Sequence, residues 1–149
     1  MLRRVRVEQL PEQPELPHLT LEYSSNVRVD RDLTTLFAGL HDILEQTGGV
    51  RRDNCKSRAR AVDTFLVGSG STRDAFVHLD IRLLDGRAID VRQRICQQAE
   101  KLVTGWFESS LESLEMQVTV EVREIDRRCY AKYPEGTLTP LPPERDQGG

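Results

Sequence analysis

The chain is predicted to fold as an α+β domain, with one four-stranded mixed sheet and two helices on a single face of it. Three observations predict this. Alternating apolar and polar residues mark four strands, and a helical apolar period marks two helices, in the order strand, helix, strand, strand, helix, strand. The two halves echo one another in residues: His18-Leu19-Thr20-Leu21-Glu22 matches His78-Leu79-Asp80-Ile81-Arg82 sixty positions later, each followed by a loop and a helix. The length, 149 residues, suits one domain with one modest core. Two right-handed β-α-β crossovers then build the single sheet.

The first strand follows Pro17 and turns Leu19, Leu21 and Tyr23 to one side, with His18, Thr20 and Glu22 on the other. Proline suits that place, because a first strand position tolerates a missing N–H. Asp30 or Asp32 caps the next helix, which carries Leu33, Leu36, Phe37, Leu40 and Leu44 at helical spacing and ends at Thr47-Gly48-Gly49. After a basic loop at Arg51-Arg52-Asp53-Asn54, the second strand is expected from Lys56 to Val67, with Ala59, Ala61, Phe65 and Val67 alternating against Arg58, Arg60, Val62, Thr64 and Leu66. Gly68-Ser69-Gly70-Ser71 is a turn and lacks the Gly-Lys-Ser/Thr ending of a phosphate loop. The third strand runs from about Ala75 to Leu84, with Val77, Leu79, Ile81 and Leu83 inward. Asp85-Gly86 turns into a long helix striped by Ile95, Ala99, Leu102, Val103 and Trp106. Met116 to Glu124 forms the last strand. Residues 1 to 16 read as a leader and residues 134 to 149 as a Pro-rich, disordered tail, leaving 17 to 133 as the domain.

The sheet face away from the helices carries Thr20, Glu22, Arg58, Arg60, His78, Asp80, Arg82, Glu121 and Arg123. Parallel strand pairs are usually covered on both faces, so either water or another subunit must cover this one. Mixed signs permit hydrogen-bonded pairs between subunits, and a trimer of sheets is the expectation. The formal charge of −3 gives no reason to invoke nucleic acid, and no stretch approaches the length of a membrane span. Arg3-Arg4 lacks the apolar region of a twin-arginine signal. Cys55, Cys96 and Cys129, odd in number and far apart, fit free thiols in a reducing compartment, which makes the cytoplasm the expected location.

Candidate chemistry centres on Pro17. If the chain began there, the ring nitrogen would be a secondary amine able to carry protons. Inside a peptide bond its lone pair is delocalised into the carbonyl, and the same atom is no base. His18, His41 and His78 have no metal-ligand spacing, and His18 and His78 occupy corresponding repeat positions. For Cys55 the sequence offers no recognised motif for a catalytic thiol. No Ser-His-Asp grouping, paired-carboxylate motif or dinucleotide fingerprint is evident, so neither a cofactor nor a metal is expected.

From Pro17 onward the residues resemble the 5-carboxymethyl-2-hydroxymuconate isomerase family of the tautomerase superfamily. The likeness rests on Pro17-His18 with Glu22, Ser24 and Asn26, on Ser57-Arg58 with Val62-Asp63-Thr64, on Ala75-Phe76-Val77-His78, and on Gly86-Arg87. It implies a homotrimer of β-α-β repeats and a cofactor-free proton transfer by an amino-terminal proline. The implied substrate is a dienol with three carboxylates, converted to its oxo isomer in homoprotocatechuate degradation. It also implies Arg87 as a ligand of a substrate carboxylate; the alternative is a side chain decorating a helix start. The family tends to place an arginine where Lys56 stands, and lysine keeps the charge but loses the planar fork. Arg58 and Arg60 are alternative donors.

Leu16 precedes Pro17 where the family pattern has a removable methionine. Translation from position 16, with trimming of the initiator, is the expected explanation; proteolytic maturation and a retained leader are the others. A retained leader implies a non-catalytic trimeric homologue. A further alternative is a keto-enol tautomerase of another 2-oxo acid.

Overall fold

The computed structural model describes residues 16–133, so the expected leader up to residue 15 and the expected tail from residue 134 lie outside the described residues. Four strands, β1 (His18–Ser24), β2 (Lys56–Val62), β3 (Asp74–Leu84) and β4 (Glu115–Ile125), form one sheet in the order β2-β1-β3-β4. Helix α1 (Leu33–Gly48) connects β1 to β2, and α2 (Ile89–Trp106) with the short α3 (Glu108–Leu111) connects β3 to β4. The pairs β1/β2 and β3/β4 are parallel, while β1/β3 is antiparallel. Thr20 faces Asp80 across the central pair. These are the equivalent residues of the two repeats, so an approximate two-fold axis passes between them.

The strand alternation does what the pattern predicts. Leu19, Leu21, Val77, Leu79, Ile81 and Leu83 are buried beneath Leu36, Leu40 and Leu44 of α1 and Ile95, Ala99 and Val103 of α2, in one cluster. Each such aliphatic side chain contributes roughly 1.5–3 kcal/mol on burial. Asp32 is the cap of α1, accepting from the Thr34 N–H at 2.9 Å. At the other end Gly49 takes a left-handed φ of 66°, and the Val50 N–H returns to the Leu44 carbonyl at 3.1 Å.

Two expectations change. The second strand stops at Val62 instead of Val67, because its one partner among the described residues ends there: Ser24 is the last residue of β1 and pairs with Val62. Phe65 leaves the sheet and meets the Phe76 ring edge-on with centroids 6.0 Å apart, while Leu66 is exposed. The four residues of α3, unforeseen as a helix, follow Phe107, which is buried in the main core. Beside it the hydroxyl of the buried Ser110 accepts from the Arg28 N–H at 3.3 Å.

Candidate functional site

Pro17, Lys56 and Arg87 gather at one end of the sheet, where β1 and β2 begin and β3 and β4 finish. Pro17 is buried immediately before β1, and its carbonyl accepts from the Lys56 N–H at 3.1 Å. Leu16, placed with the leader on sequence grounds, is fully buried against Leu84, with Ile125 and Tyr130 packed around the pair. In this chain Leu16 acylates the Pro17 nitrogen, so the lone pair of that ring belongs to an amide.

The cations take three positions. Lys56 and Arg58 are in register with His18 and Thr20, on the polar face, whereas alternation carried back from Leu19 places Pro17 in the helix-side phase. The Lys56 ammonium donates to the Asn54 carbonyl at 3.5 Å, and Arg58 approaches His18 Nδ1 at 3.4 Å through both terminal nitrogens. Arg87 follows β3; its Nε donates to the Gly48 carbonyl at 2.9 Å and its Nη1 to the Leu84 carbonyl at 3.4 Å. Arg87 thus ties the end of α1 to the end of β3 on the side of the sheet where Pro17 lies. Arg60 forms an ion pair with Glu22 at 2.6 Å, a sheet-surface role.

Sequence reasoning missed Tyr130. Beyond β4 the Arg127 guanidinium grips the Asp85-Gly86 turn, with Nε 2.6 Å from Asp85 Oδ1 and Nη2 on the Asp85 carbonyl. Gly86, at a φ of 113°, leaves room for it: an added Cβ would stand 3.2 Å from Arg127 Nη2. That clamp returns the chain to the start of β1, where the Tyr130 hydroxyl lies 2.7 Å from His18 Nε2. The contact spans 112 positions and has no local signature.

His18 and His78 share a repeat position but not an environment. In register His18 faces Lys56 and His78 faces Thr119; the Arg58 guanidinium reaches across to His18, whereas His78 bonds Thr119 Oγ1 at 2.7 Å and its Nε2 lies 3.8 Å from Glu121 Oε2. Burial, then Arg58, Lys56 and Arg82, lower the His18 pKa from 6.5, which favours the neutral ring. Because Arg58 can only donate, Nδ1 accepts and the ring hydrogen falls on Nε2, facing Tyr130. On the same polar face Asp80 receives Arg82 Nε at 3.0 Å and lies 3.3 Å from Arg123 Nε. Its buried Oδ1 has no hydrogen bond among the described residues.

His41 Nε2 is 2.7 Å from Ser57 Oγ in a cleft that Phe37, Arg52, Cys55 and Lys56 also line. Cys96 donates to the Val120 carbonyl, and burial, then Glu100, raises its pKa. Among the described residues no group of three His, Cys, Asp or Glu side chains could hold a metal ion, and no helix is long and apolar enough to cross a membrane.

Comparison with known proteins agrees with the resemblance seen from Pro17 onward. A model of the family described as 5-carboxymethyl-2-hydroxymuconate isomerase matches residues 17–135. The chain is 30% identical over 110 residues to the 5-carboxymethyl-2-hydroxymuconate Delta-isomerase of Escherichia coli, covering 74% of this chain and 87% of that protein. Among solved structures it is similar to a 5-carboxymethyl-2-hydroxymuconate isomerase from Deinococcus radiodurans R1, with TM-score 0.73 and 24% identity over 80% of this chain and 90% of that one. It is also similar to a structure described as Q0 fused 4-OT wild type symmetric trimer, with TM-score 0.65 and 14% identity over 80% of this chain and 94% of that one. At those identities the structural likeness speaks for the fold, the tautomerase arrangement of two β-α-β units.

Proposed function

Because the chain belongs to the 5-carboxymethyl-2-hydroxymuconate isomerase family, we propose that it converts 5-carboxymethyl-2-hydroxymuconate to its 2-oxo isomer by cofactor-free proton transfer, with Pro17 as the base. The observation that carries this reading is that the family match begins at Pro17, at the sheet end where Lys56 and Arg87 also gather. The form that acts has Pro17 at its amino terminus. There the pyrrolidine nitrogen takes the proton of the 2-hydroxyl group; the O–H electrons form the carbonyl and the conjugated double bonds shift. The same proton then returns from nitrogen to the carbon at the far end of the shifted system. A free α-amine titrates at about 7.7–8.0, and partial burial with nearby cations lowers it, so the base is unprotonated at neutral pH.

The substrate carries three carboxylates, and Arg87 together with Lys56 or Arg58 holds it and stabilises the developing oxyanion. Arg58 faces the polar side of the sheet and Arg87 the other, so a site that uses both takes them from different subunits of a homotrimer. A cytoplasmic place in homoprotocatechuate degradation follows from the same reading.

A chain starting at Met-Pro17 tests it, since the initiator is removable. This form should isomerise the muconate, and Pro17→Ala should lower kcat/KM at least a hundredfold. Equal activity with residues 1 to 16 attached, shown by intact mass, would overturn the mechanism. The buried Leu16 favours a second reading, a non-catalytic trimeric homologue. Absence of turnover by the Met-Pro17 form on the muconate and on other 2-hydroxydienoates would establish it.

A further inference from the structure

Tyr130 meets the residues on both sides of Pro17. Its ring packs on the Leu16–Leu84 cluster, and its hydroxyl lies 2.7 Å from His18 Nε2. The ring is only partly buried and is held by the Arg127 clamp three residues earlier. The order of donors is set by chemistry. Arg58 donates to His18 Nδ1, so His18 Nε2–H donates to the Tyr130 oxygen, and the phenolic hydrogen is left to point elsewhere. Leu16 is the buried side chain beside that ring, packed on Leu84 with Ile125 and Tyr130 around the pair.

We propose that Tyr130 is a catalytic residue whose phenol, oriented by the Arg58–His18 pair, donates a hydrogen bond to the 2-oxy group of a dienol substrate lying in the space that Leu16 occupies. The proposal rests on the isomerase reading above and adds a donor and a location to it. When Pro17 leads the chain, the niche behind its nitrogen is open, apolar on the Leu84 and Ile125 side and polar at Tyr130. The substrate's apolar diene lies on the aliphatic wall with its 2-oxygen toward the phenol. As Pro17 takes the hydroxyl proton, negative charge grows on that oxygen, and the bond from Tyr130 strengthens. The hydrogen bond from His18 Nε2–H draws electron density from the phenol oxygen and makes its own O–H a stronger donor. With Leu16 in place the niche is filled, so residue 16 blocks the site by occupying it as well as by acylating the amine.

Among the described residues the main core cluster begins at Leu19, and Leu16 belongs to a separate small cluster with Leu84. The test therefore uses the Met-Pro17 form beside the full chain. Tyr130→Phe keeps the ring packing and removes the hydroxyl; kcat on the muconate should fall about a hundredfold, the scale for loss of one oxyanion donor, with KM changed less than threefold. His18→Gln, which retains a donor at the same reach, should keep at least a third of kcat, whereas His18→Leu should fall towards the Tyr130→Phe value. Tyr133→Phe, at a residue 94% exposed, is the control and should leave kcat unchanged. A Tyr130→Phe variant with full kcat, while Pro17→Ala is inactive, overturns the role of Tyr130 and leaves that of Pro17 standing. Full activity in Pro17→Ala instead overturns Pro17 as the base, and absence of turnover by the unsubstituted Met-Pro17 form overturns the isomerase reading. Calorimetry with oxalate, which presents a carboxylate beside an oxyanion, gives a readout that needs no turnover. Oxalate should bind the Met-Pro17 form at least fivefold more tightly than either Tyr130→Phe or the full chain; equal affinity in all three, or binding by none, defeats the proposal.

Discussion

His18 and His41 sit in this fold as imidazoles that resist protonation. For His18 the causes are burial and then Arg58, Lys56 and Arg82; for His41 they are burial and then Arg52, and both are lowered from 6.5. A folded-state pKa below the unfolded value means that the unfolded chain binds more protons as the medium acidifies. Stability from these groups is therefore full above about pH 6.5 and declines as pH falls through that value towards the folded ones. The thermal midpoint should drop between pH 7.5 and pH 5, and His18→Gln combined with His41→Gln should flatten the drop. The carboxylates of Asp32 and Asp126 are lowered from 3.8 by hydrogen bonds, from the Thr34 N–H and from the Arg128 side chain respectively, so they act below this interval. A pH dependence that the double substitution leaves untouched would show that the histidines are not its source.

At the scale of one element, α1 shows how a helix end places a distant side chain. Gly49 closes the helix in a left-handed conformation, and the Gly48 carbonyl just inside it becomes the acceptor for Arg87. An alanine at 49 would meet no atom within 4 Å, so its cost is conformational alone. Gly49→Ala should lose about 1 kcal/mol in urea unfolding, and Gly49→Asn less, since asparagine tolerates that region better. Equal stability of all three would mean that the C-cap is not under strain. The strand β2 carries a second lesson. Ala59 and Ala61 hold the helix-side phase yet are exposed, because β2 is the edge strand and α1 reaches its start at Ser57 but leaves these two uncovered.

For the whole molecule, both the polar sheet face and the uncovered side of β2 call for a partner. Asp80, only 16% exposed with two arginines against it, already sits in a partly desolvated place before any second chain arrives. The homotrimer that we propose would cover this face, and multi-angle light scattering should return three times the chain mass of 17.0 kDa. Arg123→Glu adds a carboxylate beside Asp80 and Glu121 and should shift the mass towards one chain; isolated surface ion pairs contribute little, so a monomeric wild type would leave that substitution without effect. A monomeric mass for the unmutated chain would remove the trimer and, with it, the pairing of Arg58 and Arg87 in one site.

Periodicity alone was enough for the strands, the two long helices, the repeat and the polar face, because alternation and helical spacing are local consequences of which side chains must leave water. Asp32 and Gly49 were legible for the same reason: caps are written within a few residues of the helix they end. Pro17 and Arg87 could be named from motif resemblance, but their relation could not. That Leu16 is buried, that β2 stops where Ser24 ends its partner, and that Tyr130 comes back to His18 depend on which strand lies beside which. Those contacts join positions far apart along the chain, and packing in three dimensions, which leaves no periodic trace in the residues, sets them.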